Sequence, residues 1–517
     1  MNRNKINNTF YLVSTMKKII INDNPWQIRI AIIMNAKLQN IYFSAPTHEV
    51  LERAYFKGIV TKVLPGIQTA FVEFGQKKAG FLHISEIDRE LALQKITREL
   101  EDDEEEQKVE KKVFVRRDIS KILKENEPIL IQVSKEPIYE KGAKLTTCFT
   151  LPGRFIVLMP NIARIGVSKK IEDRDERIRL KTIIKEHLPE GMGAIIRTTS
   201  EGRTEKDLVK DLHYLVQEWH MIEKKFTLAK PSEKIHQDLP LVLQIVRDHL
   251  DNDVQAIITD SKESQQELYT FAQHIAPEFS HVIQLYDDSI NIFSAYGIEK
   301  QIEQALKKKV SLKSGGSIII ESTEAMTVID VNTGRFIGKT SLEDTILKTN
   351  LEAVEEIVRQ LKLRSIGGLI VIDLIDMASE SNRKKVLSFF EETLKKQDKF
   401  QSVVLKISEF GLIQMTRKRS GRTLLQQLMS VCLGCNGSGF VKSYQTESYA
   451  ILRAIKDEIS SLQPGKKIEI HLNSHIFNYI TSIEYNAILD LESNYNLKIT
   501  LLSNKEYSLD TYKIEKK

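Results

Sequence analysis

Two apolar runs in this chain end in carboxylates: Met326-Thr-Val-Ile-Asp330-Val-Asn332 and Gly367-Gly-Leu-Ile-Val-Ile-Asp373-Leu-Ile-Asp376. A carboxylate beside a core must find a partner, a proton or a metal. Side chains alternate along a strand, so Asp330 and Asn332 project from one side. Between the runs, Ser341-Leu-Glu-Asp344 reads as a capping box. It opens a helical pattern of Leu342, Ile346, Leu351, Val354, Ile357, Val358 and Leu361. Strand, helix, strand is a crossover, which makes the strands parallel and brings both carboxyl ends to one edge of a sheet. Asp330 and Asp373 then converge, and two carboxylates with an amide form a hard-oxygen site suited to one Mg²⁺ per chain.

Three further groupings bear on chemistry. Cys432-Leu-Gly-Cys435-Asn-Gly-Ser-Gly439 has the spacing of a zinc knuckle, with glycines that let the chain curl around a metal. A closed four-sulfur site needs four thiolates, and the third cysteine, Cys148, is remote in sequence. The simplest arrangement is one structural Zn²⁺ shared between two chains, that is, a homodimer; a plain turn or a redox pair are the alternatives. Aromatics Tyr55, Phe56, Phe71, Phe74 and Phe81 are interspersed with Lys57, Lys62, Lys77 and Lys78, with Lys141 beyond. Bases stack on such platforms, although part of any small barrel's aromatic set fills its core, and Phe71 and Phe74 fall on opposite faces. Met415-Thr-Arg417-Lys418-Arg419 is a basic triplet, either a solvated surface or a phosphate contact.

The elements that must position these groups follow from pattern. Lys18-Ile-Ile-Ile and Ile28-Arg-Ile-Ala-Ile-Ile predict paired strands. Short strands with Gly or Pro turns from about Leu51 to Thr147 predict a small barrel. It is interrupted by a charged stretch around Glu101-Asp-Asp-Glu-Glu-Glu106, read as a solvated insertion or exposed helix. A long amphipathic helix is expected over Glu205 to Phe226, and strands alternate with helices from 241 to 428.

The whole chain narrows the class. With 517 residues several domains are expected, and 41% hydrophobic content supports proper cores. No apolar stretch nears the roughly 20 residues that span a bilayer, and the polar first fifteen residues lack a signal-peptide pattern. The expected location is cytoplasmic, without obligatory membrane insertion. Three cysteines exclude a disulfide framework. There is no His-Glu-x-x-His zinc-hydrolase pattern and no phosphate-binding glycine loop. A net charge of +5 neither demands nor excludes nucleic acid.

Taken together, these strings, with Thr323-Glu-Ala preceding Met326, Thr349-Asn-Leu-Glu-Ala and Arg359-Gln-Leu-Lys-Leu-Arg, resemble the ribonuclease E/G family of bacterial single-strand RNA endonucleases. In length and layout the chain is nearer the ribonuclease G side than the ribonuclease E side. The resemblance implies a multidomain α/β fold. Its parts would be an extension (1–15), an RNase H-like subdomain in two pieces (16–49 and 241–305), an OB-fold RNA-binding domain with the acidic insertion (50–147) and a 5′-sensor region (148–240). A DNase I-like catalytic subdomain (306–428), a zinc-link (429–442) and a small C-terminal domain (443–517) would follow. It implies Asp330 and Asp373 as magnesium ligands with Asn332 beside them, and Cys432 and Cys435 as the shared zinc ligands. It also implies Phe71, Phe81 and Lys141 as RNA contacts, and Gly153, Val157, Arg197 and Thr198 as a pocket for a 5′-monophosphate. Leu433, where relatives often have proline, is a departure.

The activity expected is Mg²⁺-dependent hydrolysis of single-stranded RNA to 5′-phosphate and 3′-hydroxyl ends. Preferred substrates would carry a 5′-monophosphate, with roles in rRNA processing and mRNA decay. Arg417 or Arg419 would neutralise developing charge. Partners would be rRNA precursors, mRNA and a second copy of the chain, with a tetramer as the larger alternative. A non-catalytic RNA-binding scaffold is the competing reading, and a DNA nuclease a third.

Overall fold

The computed structural model describes residues 16–45, 50–87, 118–137, 142–251, 253–334, 342–398, 400–408, 410–419, 421–460 and 466–516. Lys141, the capping serine Ser341, the N-terminal extension and the acidic run 101–106 lie outside the described residues. The chain divides into two compact units between Gln427 and Leu428.

Among the described residues, the first unit holds four sheets. Lys17–Asn24, Gln27–Met34 and Lys37–Ser44 form an antiparallel meander. Its second turn places Asn35 and Ala36 at φ 50° and 62°, the backbone that a two-residue hairpin turn demands. Val254–Thr259 pairs parallel with the first strand and Ile283–Leu285 with Val254–Thr259, so one five-stranded sheet is assembled from two distant stretches of sequence. Everything between is inserted into it.

The insertion begins with a barrel of Tyr55–Leu64, Thr69–Glu73, Gly80–His83, Lys144–Thr146 and Pro128–Lys135, closed by pairing of the first and last named. Phe56, Val60, Val72, Phe74, Leu82, Ile131 and Leu145 fill it. Gly58 is required where the walls approach: a Cβ there would sit 2.4 Å from Val72 Cγ1. A four-stranded sheet follows (Leu151–Pro152, Ile156–Met159, Gly193–Ile196, Ile165–Val167). Helices Arg174–His187 and Glu205–Leu228 share its core. Thr204 and Asp207 form a capping box on the long helix, which buries Leu208, Leu212, Leu215, Trp219 and Ile222 along one stripe.

The fourth sheet carries the two runs that end in Asp330 and Asp373. Its order is Lys309–Ser311, Ser317–Ser322, Met326–Asn332, Gly368–Asp373, Leu412–Arg417, Ser402–Val404. Helix Leu342–Leu363 crosses between the two central strands, and they are parallel as a crossover requires. Val354, Ile357, Val358 and Leu361 are fully buried against Ile329, Val331, Ile370 and Ile372. Each such aliphatic side chain contributes roughly 1.5–3 kcal/mol. Helix Glu380–Gln397 adds Val386, Phe390 and Leu394 to the same core.

The second unit has a three-stranded sheet. Lys467–Asn473 is central, parallel to Lys498–Asn504 and antiparallel to Tyr512–Lys516. Helices Tyr444–Ile459, Ser474–Ser482 and Tyr485–Tyr495 cover its apolar face, where Ile468, Ile470 and Leu472 are inaccessible. Among the described residues, no helix is long and apolar enough to cross a membrane.

Candidate active site

Alternation on the two central strands decides which side chains meet. Ile329, Val331, Ile370 and Ile372 face the helices, so Asp330, Asn332 and Asp373 stand on the other face. There Asp330 is half-buried, while Asp373 and Asn332 are exposed. The carboxylates therefore lie on the face of the sheet turned away from the helix layer.

Asp330 and Asp373 are register partners, directly opposite on adjacent parallel strands. Strand spacing sets their backbones roughly 4.8 Å apart. Asn332 Nδ2 donates to Asp330 Oδ2 at 2.7 Å. The loss of some hydration on the sheet face, then the neighbouring charges of Asp330 and Asp376, push the Asp373 carboxyl above the usual range. Convergent negative charge of this kind is what a bound divalent cation relieves. The loop after Asp373 is clamped by Asn350, which is wholly buried on the crossover helix. Its side chain donates to the Ile375 carbonyl at 2.9 Å and accepts from the Ile375 N–H at 3.1 Å. That clamp accounts for a fully buried asparagine on this helix.

Neither arginine of the triplet stands beside these carboxylates. Arg417 pairs with Gly368, whereas Asp373 pairs with Leu412, five residues further along. The separation along the strand is about 16 Å. Arg417 also points inward: its side chain and that of Asp398 are each 1% exposed. They are joined at 2.6 and 3.0 Å, and Arg417 Nη1 donates to the Ile366 carbonyl. Arg417 is a structural cation, and its expected role as an RNA contact is withdrawn. Arg419 is exposed, with its guanidinium over Gly368, where an added Cβ would lie 2.7 Å from Nε.

On the barrel, Phe71 and Phe81 are half-buried cross-strand partners, with Lys62 opposite Phe71 and Lys144 beside Phe81. Phe74 is 1% exposed and packs edge-on to Phe56 at 5.1 Å, so the two faces separate as alternation requires. Lys57 is not part of a binding face; its ammonium caps the long helix through the Phe226 and Ala229 carbonyls.

The four expected sensor residues are brought together by the four-stranded sheet. Val157 pairs with Ile195, and Arg197 and Thr198 follow that strand. Arg197 Nη1 donates to the Gly153 carbonyl at 2.7 Å and to Asp248 Oδ1 at 2.8 Å. Thr198 is exposed, with its hydroxyl 3.1 Å from that of Ser168. Gly153 is required because a Cβ would lie 2.5 Å from Asp211 Oδ2. Asp211 in turn accepts the N–H groups of Arg154, Phe155 and Ile156. Asp248 carries an internal conflict: burial pushes its carboxyl up, but Arg197 and Arg247 outweigh burial and hold it below the usual range. Asp211 and Asp248 were invisible to motif reading because each acts on a partner distant in sequence, and Asn350, although part of a matching string, had no role legible there.

In the second unit, Asn436, Gly437 and Gly439 take φ of 47°, 85° and 78°, curling the chain around the cysteine pair. The backbone N–H groups of Gly439 and Gly437, then the Cys432 thiol, hold the Cys435 thiol below its usual range, which favours a thiolate ligand. Among the described residues no third ligand-type side chain closes on the pair.

Three family models match parts of the chain. The model of the ribonuclease E/G family matches residues 150–420, an S1 RNA-binding domain model residues 52–122, and an RNase E/G thioredoxin-like domain model residues 431–517. The chain is 39% identical to ribonuclease G of Salmonella typhimurium over 85% of its own length and 87% of the relative's. It is 35% identical to ribonuclease G of Haemophilus influenzae over 96% and 99% of the two lengths. Similarity to ribonuclease E of Escherichia coli is 37% over 86% of this chain and 40% of that protein.

Proposed function

This chain belongs to the ribonuclease E/G family, and from that premise we propose that it is a Mg²⁺-dependent endoribonuclease of single-stranded RNA. The observation that carries the reading is the in-register opposition of Asp330 and Asp373, with Asn332 bonded to the former. The donor set fits the ion: two carboxylates, with no nitrogen or sulfur ligand beside them among the described residues, suit a hard cation. When bound there, Mg²⁺ would polarise the scissile phosphate and lower the pKa of a water. Asp330 and Asp373 would hold the ion, Asn332 would fix the orientation of Asp330, and Asn350 would keep the following loop in place. Products would be 5′-phosphate and 3′-hydroxyl ends, and the 2′-hydroxyl has no part in the step.

Phe71 and Phe81 would offer stacking surfaces to the strand, worth about 1–3 kcal/mol per base. Arg197 makes both its bonds through Nη1, so Nε and Nη2, with the Thr198 hydroxyl, are available to a terminal phosphate. That supports a preference for 5′-monophosphorylated RNA. Cys432 and Cys435 would supply two thiolates of a Zn²⁺ completed by a second chain, giving a homodimer. Precursor rRNA and mRNA are the proposed substrates, in the cytoplasm.

The test is cleavage of a 5′-monophosphorylated, AU-rich RNA by wild type, Asp330→Asn and Asp373→Asn in Mg²⁺. Loss of cutting with RNA binding retained is expected. Cutting at the wild-type rate by both variants would remove the assignment. A wild-type protein that binds RNA but never cuts it would favour the scaffold reading.

A further inference from the structure

We infer that the outer face of the C-terminal sheet carries a second metal site, made by Glu469, His471 and Glu515 and suited to a divalent d-block ion such as Zn²⁺. The inference is independent of the ribonuclease reading and of the cysteine pair. Strand Lys467–Asn473 turns Ile468, Ile470 and Leu472 into the core, so Glu469 and His471 emerge together on the opposite face. The antiparallel strand Tyr512–Lys516 sets Glu515 directly across from Glu469.

One donor atom from each of the three residues lies within 4.8 Å of the others, and all three residues are half-buried. His471 Nε2 faces Glu515 Oε2 at 3.7 Å. That is too long for a hydrogen bond. It is close to the edge of roughly 3.4 Å between two ligands held tetrahedrally about Zn²⁺ at about 2.1 Å. The same nitrogen is sealed from solvent and has no hydrogen-bond partner. A desolvated imidazole nitrogen directed at carboxylates is a ligand in waiting. Lys513 Nζ binds the other oxygen of Glu515 at 2.8 Å, so Oε2 remains for the metal.

The chemistry selects the ion class. An imidazole with two carboxylates favours zinc and its neighbours over Mg²⁺, which prefers oxygen alone. With three protein ligands the fourth position would hold water. Because the ligands come from two strands, the ion would act as a clip fastening Tyr512–Lys516 to the central strand.

The experiment uses the full chain in excess Mg²⁺, dialysed against Zn²⁺, with zinc counted per chain by mass spectrometry and amide exchange followed at residues 512–516. Wild type is expected to hold one more zinc per chain than His471→Ala. Zinc should slow exchange of the terminal strand in wild type and leave it unchanged in the variant. Glu515→Gln, which keeps side-chain shape, should behave like His471→Ala and guards against a folding defect in the latter. Equal zinc content in all three proteins, or equal protection of the strand, would overturn the site.

Discussion

Asn332→Ala removes one donor from the acidic site and nothing from its core. The bond lost is a single charge-assisted contact of 2.7 Å to Asp330 Oδ2. Hydrogen bonds to charged groups contribute roughly 1.5–3 kcal/mol, and the exposure of Asn332 places this one at the lower end. About 1.4 kcal/mol is a tenfold change in an equilibrium constant. If Asn332 acts by orienting Asp330, the Mg²⁺ concentration for half-maximal cleavage should rise about tenfold, as for other partners of metal ligands. The rate at saturating Mg²⁺ should return to near the wild-type value. The assay is initial-rate cleavage of a fixed 5′-monophosphorylated RNA across a Mg²⁺ titration. An unchanged half-saturation point would refute the positioning argument. A plateau that never recovers would mean that Asn332 contacts the phosphate itself.

Other consequences are equally direct. Arg417→Ala strands the Asp398 carboxylate in a site where both side chains are 1% exposed, and a cost of about 3–5 kcal/mol is expected by denaturant unfolding. Arg419→Ala should leave stability unchanged; if it meets RNA phosphate, the slope of log affinity against log salt falls by about 1. Asp248→Asn removes the carboxylate charge that holds Arg197, so the rate advantage of 5′-monophosphorylated over 5′-hydroxyl RNA should shrink several-fold while cutting of the latter is unaffected. Lys362 is depressed by burial to about 8, against an ordinary value near 10.5. A lysine depressed in the fold contributes stability above its unfolded pKa, and that contribution is lost as pH falls through the folded one. The wild-type unfolding temperature should therefore gain a component between pH 8 and 10.5, worth at most roughly 3 kcal/mol, that Lys362→Met lacks.

Much of the architecture was legible because it rests on local pattern. A helix between two β-runs forces parallel strands, so the pairing of Met326–Asn332 with Gly368–Asp373 followed from their order. Paired strands at the start, the barrel's short segments and the long capped helix were read from periodicity and turn residues in the same way. The assembly of one five-stranded sheet from residues 17–44 and 254–285 came from the family resemblance, since periodicity carries no record of which distant strands pair.

The sequence by itself determined that Asp330 and Asn332 share a face and that two cysteines are too few to close a four-sulfur site within one chain. Both follow from counting, since alternation and ligand number are properties of order and type. Only the tertiary structure decided that Asp330 and Asp373 stand in register on the open side of the sheet. It likewise decided that Arg417 turns into a buried pair with Asp398, and that Asp248 holds Arg197 from behind. Alternation gives parity along a strand but not which parity meets the helix layer. That choice is made by the apolar stripe of Val354, Ile357, Val358 and Leu361, whose burial against Ile329, Val331, Ile370 and Ile372 leaves the carboxylates facing outward.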